Sequence, residues 1–555
     1  MDERKKEKLV GREVIARALS LAAVDTVFTV AGGHFLPTYH ALGQLGQIKV
    51  VAARHEQGAG YMASGYALVT GRPGVVFSGA PGPGATNLVT AVANAYADSI
   101  PLIVLSAQVD RRFVHRNILQ YCDNVSLFEP FCKRSIQAVS VEEVPNLLAT
   151  SLQLSVSGRP GPVHIALPQN LQVESVSPPE HLVAVSPRPC IPSEVDIESI
   201  CEAIANSKRP AILAGHGVLR AAGSSALKSV AECIGAPVAT SRSGIGAIET
   251  EHPLSVGMLG FYGTDASREL IAQADLVLVV GCALGEQTTF GWRKTLFSNG
   301  AKVLQIDADP SQLNRTYAVD KGIICDAGTF LESLHKSLGS KEAWYARRPI
   351  RTSPQNNPDH GLSAARVMEA INFFSSDDTI VSADIGNHRL WVCEQLDIKR
   401  PEGLLQSCEF DAMGFSLPAA IGAAVALPNV KVLTISGDGG FVHTMGELAV
   451  AKELGLPLVA IVFVDGALGI LKHQAEEFYG EHHFVKLQPI KFETIAEAMG
   501  VEAKHINDTS DIEGAMGWAM KSQEPVLLSF SIDPGEVFPP LRTKIEQRKI
   551  DLLGK

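Results

Sequence analysis

The features that this sequence lacks narrow its function before any motif is considered. Its nine cysteines include no Cys-x-x-Cys pair, which argues against zinc ribbons and dithiol redox sites. It has no long basic run and a net charge of −11, which argues against a nucleic-acid-binding surface. No run is long and apolar enough to span a bilayer, and Met1–Lys8 has no apolar stretch of the signal-peptide type. We therefore expect a cytoplasmic protein with no nucleic-acid or membrane partner.

Aromatic residues are also scarce, at 6% of the chain, whereas 46% of the chain is hydrophobic, a composition that suits α/β layers. The length of 555 residues exceeds what one hydrophobic core supports. Strand-like and helix-like runs alternate throughout, which predicts an α/β fold of three doubly wound parallel-sheet domains. Pro/Ser-rich and polar stretches at 176–189 and 351–358 mark the boundaries between them. The predicted domains are 1–175, 190–340 and 361–535, followed by a tail at 536–555.

A glycine-rich acidic motif lies late in the chain. The run Gly437-Asp438-Gly439-Gly440 follows a mostly apolar, β-branched stretch at 431–436, and Asp465 follows a second such stretch at 458–464. These stretches are typical of buried parallel strands, so both carboxylates are expected at one edge of a sheet. Oxygen ligands at that position suit a hard cation such as Mg²⁺, which also keeps water and diphosphate oxygens. The glycines allow the backbone to approach a diphosphate closely.

A second constellation lies in the first domain. The segment Arg54–Gly60 follows an apolar strand at 48–52 and leads into a helix at 60–70, while the glycine loop Gly79–Asn87 leads into another helix. Together with Met413–Gly422 and the late motif, these segments resemble the thiamine diphosphate-dependent enzymes of the acetolactate synthase-like family. The similarity keeps the same order along nearly the whole chain. It implies a pyrimidine-binding first domain, a Rossmann-like central domain and a diphosphate-binding third domain.

The resemblance also implies how thiamine diphosphate and its Mg²⁺ are held. The metal ligands would be Asp438, Asp465 and the backbone carbonyl of Ala467, with Asp465 standing where the family more often has Asn. Met413 matches the bulky residue that holds the cofactor in its bent shape. The other implied cofactor-binding residues are Gly82, Asn87, Asn387 (Gln in the family), His388, Gly437, Gly439, Gly440, Leu468 and Gly469.

Three residues are assigned to catalysis by the same resemblance. Glu56 would share a proton with the aminopyrimidine ring of the cofactor and so activate it. His34 follows two glycines, as in benzaldehyde lyase, and a histidine beside the thiazolium could relay protons at neutral pH. Gln120 matches a glutamine of the family's catalytic face, whose amide could hold a substrate oxygen. The ordinary alternatives are a solvated helix-end Glu56, a His34 bonded to a loop carbonyl and a surface Gln120.

Other positions depart from the biosynthetic acetolactate synthases. Gln474 stands where those enzymes carry a Trp that helps to choose the second 2-keto acid. The segment Gly281–Gln287 lacks an Arg that the family carries there, which weakens the expectation of the family's FAD. Gly257–Thr264 and Asp307–Pro310 nevertheless resemble FAD-contacting segments. FAD, ADP, part of CoA or no ligand at all are therefore open for the central domain.

These features predict a thiamine diphosphate- and Mg²⁺-dependent enzyme. It would be either a lyase or a carboligase, and a carboligase would be a transferase. It would act on 2-keto acids or 2-hydroxy carbonyl compounds by acyloin chemistry. The family places each active site between two chains, which implies a homodimer or a dimer of dimers, that is, a homotetramer. Three alternatives stay open: a 2-hydroxyacyl-CoA lyase, a 2-keto acid decarboxylase without ligation, and a degenerate regulatory subunit. The intact Glu56, Asp438 and Asp465 argue against the last of these, and the CoA alternative would draw on the basic tail residues Arg542, Lys544, Arg548 and Lys549.

Overall fold

A computed structural model describes residues 9–176, 189–345 and 361–538. Four predicted features lie outside these ranges: the N-terminal segment 1–8, most of the first boundary stretch at 177–188, the second boundary stretch at 351–358, and the basic tail residues at 542–549. Within the described ranges, no helix is both long and apolar enough to cross a membrane.

Three parallel sheets of six strands each form the described part of the chain, which confirms the predicted α/β class. A two-stranded antiparallel ribbon, β1 with β8, accompanies the first sheet. The elements of this first part are β1 (Leu9–Val10), α1 (Gly11–Leu21), β2 (Thr26–Val30), α2 (Leu36–Leu45), β3 (Lys49–Ala52), α3 (Glu56–Thr70), β4 (Gly74–Ser78), α4 (Gly82–Ala97), β5 (Leu102–Gln108), α5 (Asn124–Phe128), β6 (Arg134–Gln137), α6 (Val144–Val156), β7 (Val163–Pro168) and β8 (Ser175–Val176).

The central and third sheets follow in the same alternating manner. The central elements are α7 (Glu194–Asn206), β9 (Pro210–Ala214), α8 (His216–Arg220), α9 (Ser224–Ile234), β10 (Val238–Thr240), β11 (Ser255–Met258), α10 (Asp265–Gln273), β12 (Leu276–Val280), β13 (Lys302–Asp307), β14 (Lys321–Ile324) and α11 (Ala327–Ser337). The third set is α12 (Ala364–Phe374), β15 (Ile380–Ala383), α13 (Asn387–Gln395), β16 (Leu404–Gln406), α14 (Ser416–Ala426), β17 (Val432–Gly437), α15 (Asp438–Val442), α16 (Leu448–Glu453), β18 (Leu458–Val464), α17 (Gly469–Tyr479), α18 (Phe492–Ala498), β19 (Glu502–Ile506), α19 (Ile512–Lys521) and β20 (Val526–Ser531).

The strand order relates the first sheet to the third. The first sheet runs β3-β2-β4-β5-β7-β6 and the third runs β16-β15-β17-β18-β20-β19. Counted from its own first strand, each sheet therefore has the same order, in which the second strand lies outside the first. The central sheet, β11-β10-β9-β12-β13-β14, has the different order of Rossmann folds. The shared order favours a common origin of the first and third domains, which the sequence alone could not establish.

The described chain forms two compact units. The first comprises residues 9–176 together with Glu409–Asn429 and Thr444–Leu456, and the second comprises the other described residues. In the first unit, a core on one face of the first sheet includes Val14, Ile15, Leu19, Val27, Phe35, Phe77, Ile103, Leu105 and Ile165. In the second unit, the core of the third sheet includes Val381, Leu433, Ile435, Ile461, Leu528 and Phe530. The predicted site residues are divided between the two units.

Helices α3 and α14 follow the second strands of the first and third sheets, and they pack against each other within the first unit. A Cβ atom at Gly65 would overlap the carbonyl oxygen of Ala419, and a Cβ atom at Gly422 would overlap the carbonyl oxygen of Met62. Each helix therefore presents a glycine to the backbone of the other, which permits a close approach that no larger residue allows. This crossing fixes α3, whose first residue is Glu56.

We expect Gly65→Ala to destabilise the first unit, because the added methyl group overlaps backbone that cannot move aside. Overpacking of this kind costs about 1–3 kcal/mol. Gly514 of α19 is the matched control, since it is exposed and a Cβ atom there meets nothing within 4 Å. Gly514→Ala should instead stabilise its helix by about 0.5–1 kcal/mol. Scanning calorimetry should therefore show a lower midpoint only for Gly65→Ala, and equal midpoints for the two variants would contradict the packing argument.

Candidate active site

Four neighbouring strands of the first sheet lead to predicted site residues at one edge. The segments that leave the carboxyl ends of β2, β3, β4 and β5 contain, in that order, His34, Glu56, Gly82 and Gln120. The strands are adjacent in the sheet, and the strand order reverses between β2 and β4. Open α/β sheets bind ligands at the carboxyl edge beside such a reversal. The structure therefore places these four candidates where a ligand site is expected.

Glu56 is the first residue of α3, whereas the sequence predicted that the helix begins at Gly60. The helix begins earlier because the Nδ1 atom of His55 accepts a hydrogen bond from the N–H of Gln57 at 3.1 Å and so caps it. From α4, the Nδ2 atom of Asn87 donates a hydrogen bond to the Oε2 atom of Glu56 at 3.0 Å. The half-buried carboxylate is thus held through one oxygen.

His34 lies in a short 3₁₀ helix, Gly33–Phe35, that follows β2. Its backbone carbonyl accepts a hydrogen bond from the Nε2 atom of Gln172 at 2.7 Å, and the Oε1 atom of Gln172 accepts one from the hydroxyl of Thr38 at 2.8 Å. The loop is therefore fixed through the main chain of His34 rather than through its ring. Burial lowers the pKa of His34, which favours the neutral imidazole at physiological pH.

Gln120 occupies a loop that returns over the start of α4. Its φ of +63° lies in the left-handed region, which is uncommon for a residue with a side chain. Its backbone carbonyl lies against Gly82, where a Cβ atom would be 2.9 Å from that oxygen. The loop is anchored to the strand by the Nε2 atom of Gln108, which donates to the carbonyl of Cys122 at 2.8 Å. Gln120 and Gly82 are thus neighbours at the edge of the first sheet.

In the second unit, Asp438 and Asp465 lie at the ends of the adjacent strands β17 and β18. The Oδ1 atom of Asp438 accepts the N–H of Gly439 at 2.8 Å, and its Oδ2 atom accepts the N–H of Gly466 at 2.9 Å. The Oδ1 atom of Asp465 accepts the N–H of Ala467 at 3.1 Å. Burial, and then the charge of Asp465, raises the pKa of Asp438 to about 6, and burial also raises the pKa of Asp465. A buried carboxylate and a half-buried one that repel each other are a favourable donor pair for a divalent cation.

The sequence predicted a tight glycine turn after β17, but α15 begins directly at Asp438. Because the side chain of Asp438 accepts the N–H groups of Gly439 and Gly466, it stabilises the helix start and joins it to the next loop. Gly466, with a φ of +68°, makes the turn that follows β18. The carboxylate therefore joins the start of α15 to the loop after β18 before any ligand binds.

Asn387 and His388 begin α13, on the other side of the strand-order reversal between β15 and β17. His388 is buried, and its Nε2 atom donates to the carbonyl of Asp384 at 3.1 Å. Burial lowers the pKa of His388 to about 3, so the ring is neutral. A Cβ atom would lie 3.1 Å from the Nδ1 atom of His388 if added at Gly437, and 2.7 Å from the Oδ2 atom of Asp384 if added at Gly440. A side chain at either position would therefore crowd His388 or Asp384.

The residues at this edge fit a metal-bound diphosphate. No group of three or more His, Cys, Asp or Glu side chains that could hold a metal ion occurs in the described ranges. The two carboxylates would therefore be completed by the carbonyl of Ala467, water and the diphosphate oxygens. A Cβ atom at Gly469 would lie 2.6 Å from the Oδ2 atom of Asp465. The N–H of Leu468 donates to the carbonyl of Val485 at 2.8 Å, which holds this loop against the segment that follows α17.

Met413 belongs to the first unit and is half-buried in the turn before α14. The carbonyl of the next residue, Gly414, accepts the hydroxyl of Thr444 at 3.0 Å. The ring of Phe415 meets that of Tyr61 on α3 edge to face, at 5.3 Å between centroids. Met413 is therefore held in place by the same crossing that fixes α3.

Sequence reasoning missed four side chains that shape these two edges: Asp384, Tyr39, Gln172 and Glu447. The hydroxyl of Tyr39 hydrogen-bonds to the hydroxyl of Thr29 at 2.8 Å, and burial raises its pKa to about 12. The acidic end of the strand before Asn387 could have drawn attention to Asp384. Gln172 and Glu447 lie in the short 3₁₀ helices Gln169–Val173 and Met445–Glu447, far along the chain from their partners, so no local pattern marks them.

Comparison with known proteins agrees with this geometry. The family models described as "Thiamine pyrophosphate enzyme, N-terminal TPP binding domain", "central domain" and "C-terminal TPP binding domain" match residues 9–127, 197–334 and 384–530. A "Probable acetolactate synthase large subunit" of Methanocaldococcus jannaschii is 34% identical, over 95% of this chain and 93% of the relative. The large subunit of acetolactate synthase isozyme 2 from Escherichia coli K12 is 31% identical, over 96% of this chain and 97% of that protein. The large subunit of isozyme 1 from the same organism is 32% identical, over 97% of this chain and 96% of that protein.

The chain therefore belongs to the thiamine diphosphate (thiamine pyrophosphate) enzymes of the acetolactate synthase-like family. This confirms the predicted class of enzyme, a thiamine diphosphate-dependent, acetolactate synthase-like carboligase. The roles of the individual site residues stay predictions.

Proposed function

We propose that this protein binds thiamine diphosphate through Mg²⁺, decarboxylates a small 2-keto acid and joins the remaining acyl group to a second carbonyl compound. The observation that carries the proposal is the carboxylate pair of buried Asp438 and half-buried Asp465, which lies among glycines at the edge of the third sheet. When bound, the cofactor supplies a thiazolium carbon that adds to carbonyl groups and acts as an electron sink.

The side chains of the first unit would supply the proton transfers. Glu56, with one oxygen held by Asn87, would exchange a proton with the aminopyrimidine nitrogen of the cofactor. Burial lowers the pKa of His34 and so favours its neutral imidazole, the form that would accept a proton from a substrate hydroxyl and return it. Gln120, whose backbone lies beside Gly82 at the same edge, would donate its amide N–H to a substrate oxygen.

Gln474, half-buried on α17, gives the proposal its most specific test. We expect the wild type, given pyruvate and an aldehyde, to form mixed acyloins more readily than acetolactate. Gln474→Trp should raise the acetolactate share several-fold, because an aromatic ring contacts an apolar 2-keto acid better than an amide does. One methylene group more or less in an apolar pocket is already worth about 10–200-fold in selectivity, so the exchange of a whole side chain can readily produce a several-fold change. Chromatographic product analysis with pyruvate, Mg²⁺, thiamine diphosphate and a panel of aldehydes measures the ratio of mixed acyloins to acetolactate for the wild type and for Gln474→Trp.

The control for this test is Gln523→Trp, which places the same ring on an exposed position and should leave the product ratio unchanged. Release of free aldehyde from pyruvate without any ligation product would contradict the proposal and favour the simple decarboxylase. Adding a 2-hydroxyacyl-CoA to the same screen tests the lyase alternative.

Assembly as a homodimer or a dimer of dimers is part of the proposal, since the resemblance places each active site between two chains. Sedimentation analysis of the purified protein tests it. The relatives are named large subunits, so the same experiment on a tagged chain, purified from its own cell type, would show whether a further subunit joins this one.

We propose that the central domain can hold a nucleotide such as FAD or ADP. The Oε1 atoms of Gln287 and Gln305 are buried and have no hydrogen-bond partner among the described residues. Hydroxyl or amino donors of a nucleotide would satisfy them. Absorbance and chromatography of the supernatant from acid-denatured protein would detect either ligand.

A further inference from the structure

Glu447 lies under the start of the helix that carries Glu56. It is 1% exposed and forms the end of a short 3₁₀ helix, Met445–Glu447, in the first unit. Its Oε1 atom accepts the backbone N–H groups of Arg54 and His55 at 3.1 and 3.0 Å, and its Oε2 atom accepts the N–H of Arg54 at 3.0 Å. These two amides immediately precede Glu56 in the chain. A buried carboxylate thus holds the junction between β3 and α3.

The helix is shaped to admit this carboxylate. A Cβ atom at Gly58, in the first turn of α3, would overlap the Oε1 atom of Glu447. Glu447 is held on its own side by the N–H of its backbone, which donates to the carbonyl of Thr444 at 2.9 Å. The Glu447 carboxylate therefore lies in a space that exists because residue 58 is glycine.

We propose that Glu447 is a positioning residue for Glu56: its carboxylate fixes the backbone of residues 54–58 and so sets the direction in which Glu56 meets the cofactor. The proposal rests on the proposed role of Glu56. Glu447 itself touches neither substrate nor cofactor in this scheme.

The charges around Glu447 support a role beyond packing. The side chain of Arg54 forms an ion pair with Glu453 on α16, and within the described ranges the hydrogen bonds to the Glu447 carboxylate come from the backbone amides of Arg54 and His55. The remaining neighbour, α14, carries no charged residue. Burial raises the pKa of Glu447 to about 7, against the lowering effects of the Arg54 and His55 amides and of the Arg54 charge. Burying a carboxylate costs desolvation free energy. Its hydrogen bonds to the two backbone amides offset that cost, and an apolar side chain could not make them.

The test compares Glu447→Gln with Glu453→Gln in the full-length protein. Glu447→Gln keeps the shape but presents an amide group to the N–H of Arg54, so the junction should loosen. We expect hydrogen–deuterium exchange of peptides spanning residues 54–58, measured without cofactor, to accelerate at least tenfold. We also expect the exchange of the thiazolium C2 proton of bound thiamine diphosphate to slow at least tenfold, with cofactor affinity by calorimetry within about threefold of wild type. Glu453→Gln removes an exposed carboxylate and should change none of these.

Unchanged amide exchange and C2 exchange in Glu447→Gln would overturn the inference. Glu56→Gln, measured in the same series, separates it from the proposed function. If Glu56→Gln keeps wild-type C2 exchange, the proposed role of Glu56 fails. If only Glu56→Gln slows this exchange, Glu447 alone was wrongly assigned. Should Glu447→Gln not fold, Glu447→Asp carries the same test, since the shorter side chain keeps the charge but cannot reach both amides.

Discussion

Glu56→Gln is expected to lower kcat/KM by roughly 10²–10⁴-fold, the usual contribution of a general acid or base, with little change in cofactor affinity. The amide has the shape of the carboxylate, and its oxygen can still accept the hydrogen bond from Asn87, whose Nδ2 atom lies 3.0 Å from the Oε2 atom of Glu56. What the variant loses is the ability to exchange a proton with the cofactor. Steady-state kinetics and titration calorimetry measure the two effects separately.

Glu194→Gln is the matched control for this experiment. Glu194 is the first residue of α7, as Glu56 is the first residue of α3, and it is exposed. Both carboxylates interact favourably with the helix dipole, so a loss caused by a weakened helix start would be similar in the two variants. We expect Glu194→Gln to keep the wild-type kcat/KM. Wild-type turnover by Glu56→Gln would refute the assigned role of Glu56.

The buried strands could be predicted from the sequence because their apolar, β-branched runs have an unambiguous pattern. The runs at 26–30, 74–78 and 458–464 are β2, β4 and β18 with the same bounds. The predicted start of α3 at Gly60 was wrong by about one helical turn, since the helix begins at Glu56. Glycine disfavours a helix interior, and Gly58 and Gly60 lie in the first turns of α3. His55 is also an unusual capping residue.

The candidate site residues at the sheet edge could be predicted because they follow the ends of strands. The residues that hold them in place by hydrogen bonds could not be predicted. His34, Glu56 and Gln120 follow strands in the chain, so pattern and position are linked. Glu447 meets Arg54 across 393 positions of sequence, and Gln172 meets the backbone of His34 across 138. Hydrogen bonds to the main chain depend on tertiary geometry, and they leave no spacing that a single sequence would reveal.

Asp438→Asn is expected to abolish the stabilisation that thiamine diphosphate and Mg²⁺ confer, while changing the protein alone very little. In the wild type, ligand at a hundred times its dissociation constant adds about 2.7 kcal/mol of stability. The amide removes the repulsion between Asp438 and Asp465 that helps to raise the pKa of Asp438. It also removes one acceptor for the N–H of Gly439 or Gly466, a loss of about 0.5–1.5 kcal/mol. These two effects oppose each other in the absence of ligand, so only the metal-dependent shift of the unfolding midpoint should disappear.

Asp465→Asn tests whether the metal site needs a carboxylate at both positions or only at Asp438. The resemblance places Asn at that position in most of the family, and an amide oxygen can still bind a divalent cation, so this variant should keep most of the Mg²⁺-dependent shift. Asp378→Asn, exposed at the opposite end of β15, should keep all of it. A full shift in Asp438→Asn would mean that its carboxylate is not a metal ligand. Equal losses in Asp438→Asn and Asp465→Asn would instead mean that both negative charges are needed, and that this site departs in its chemistry from the family that it resembles.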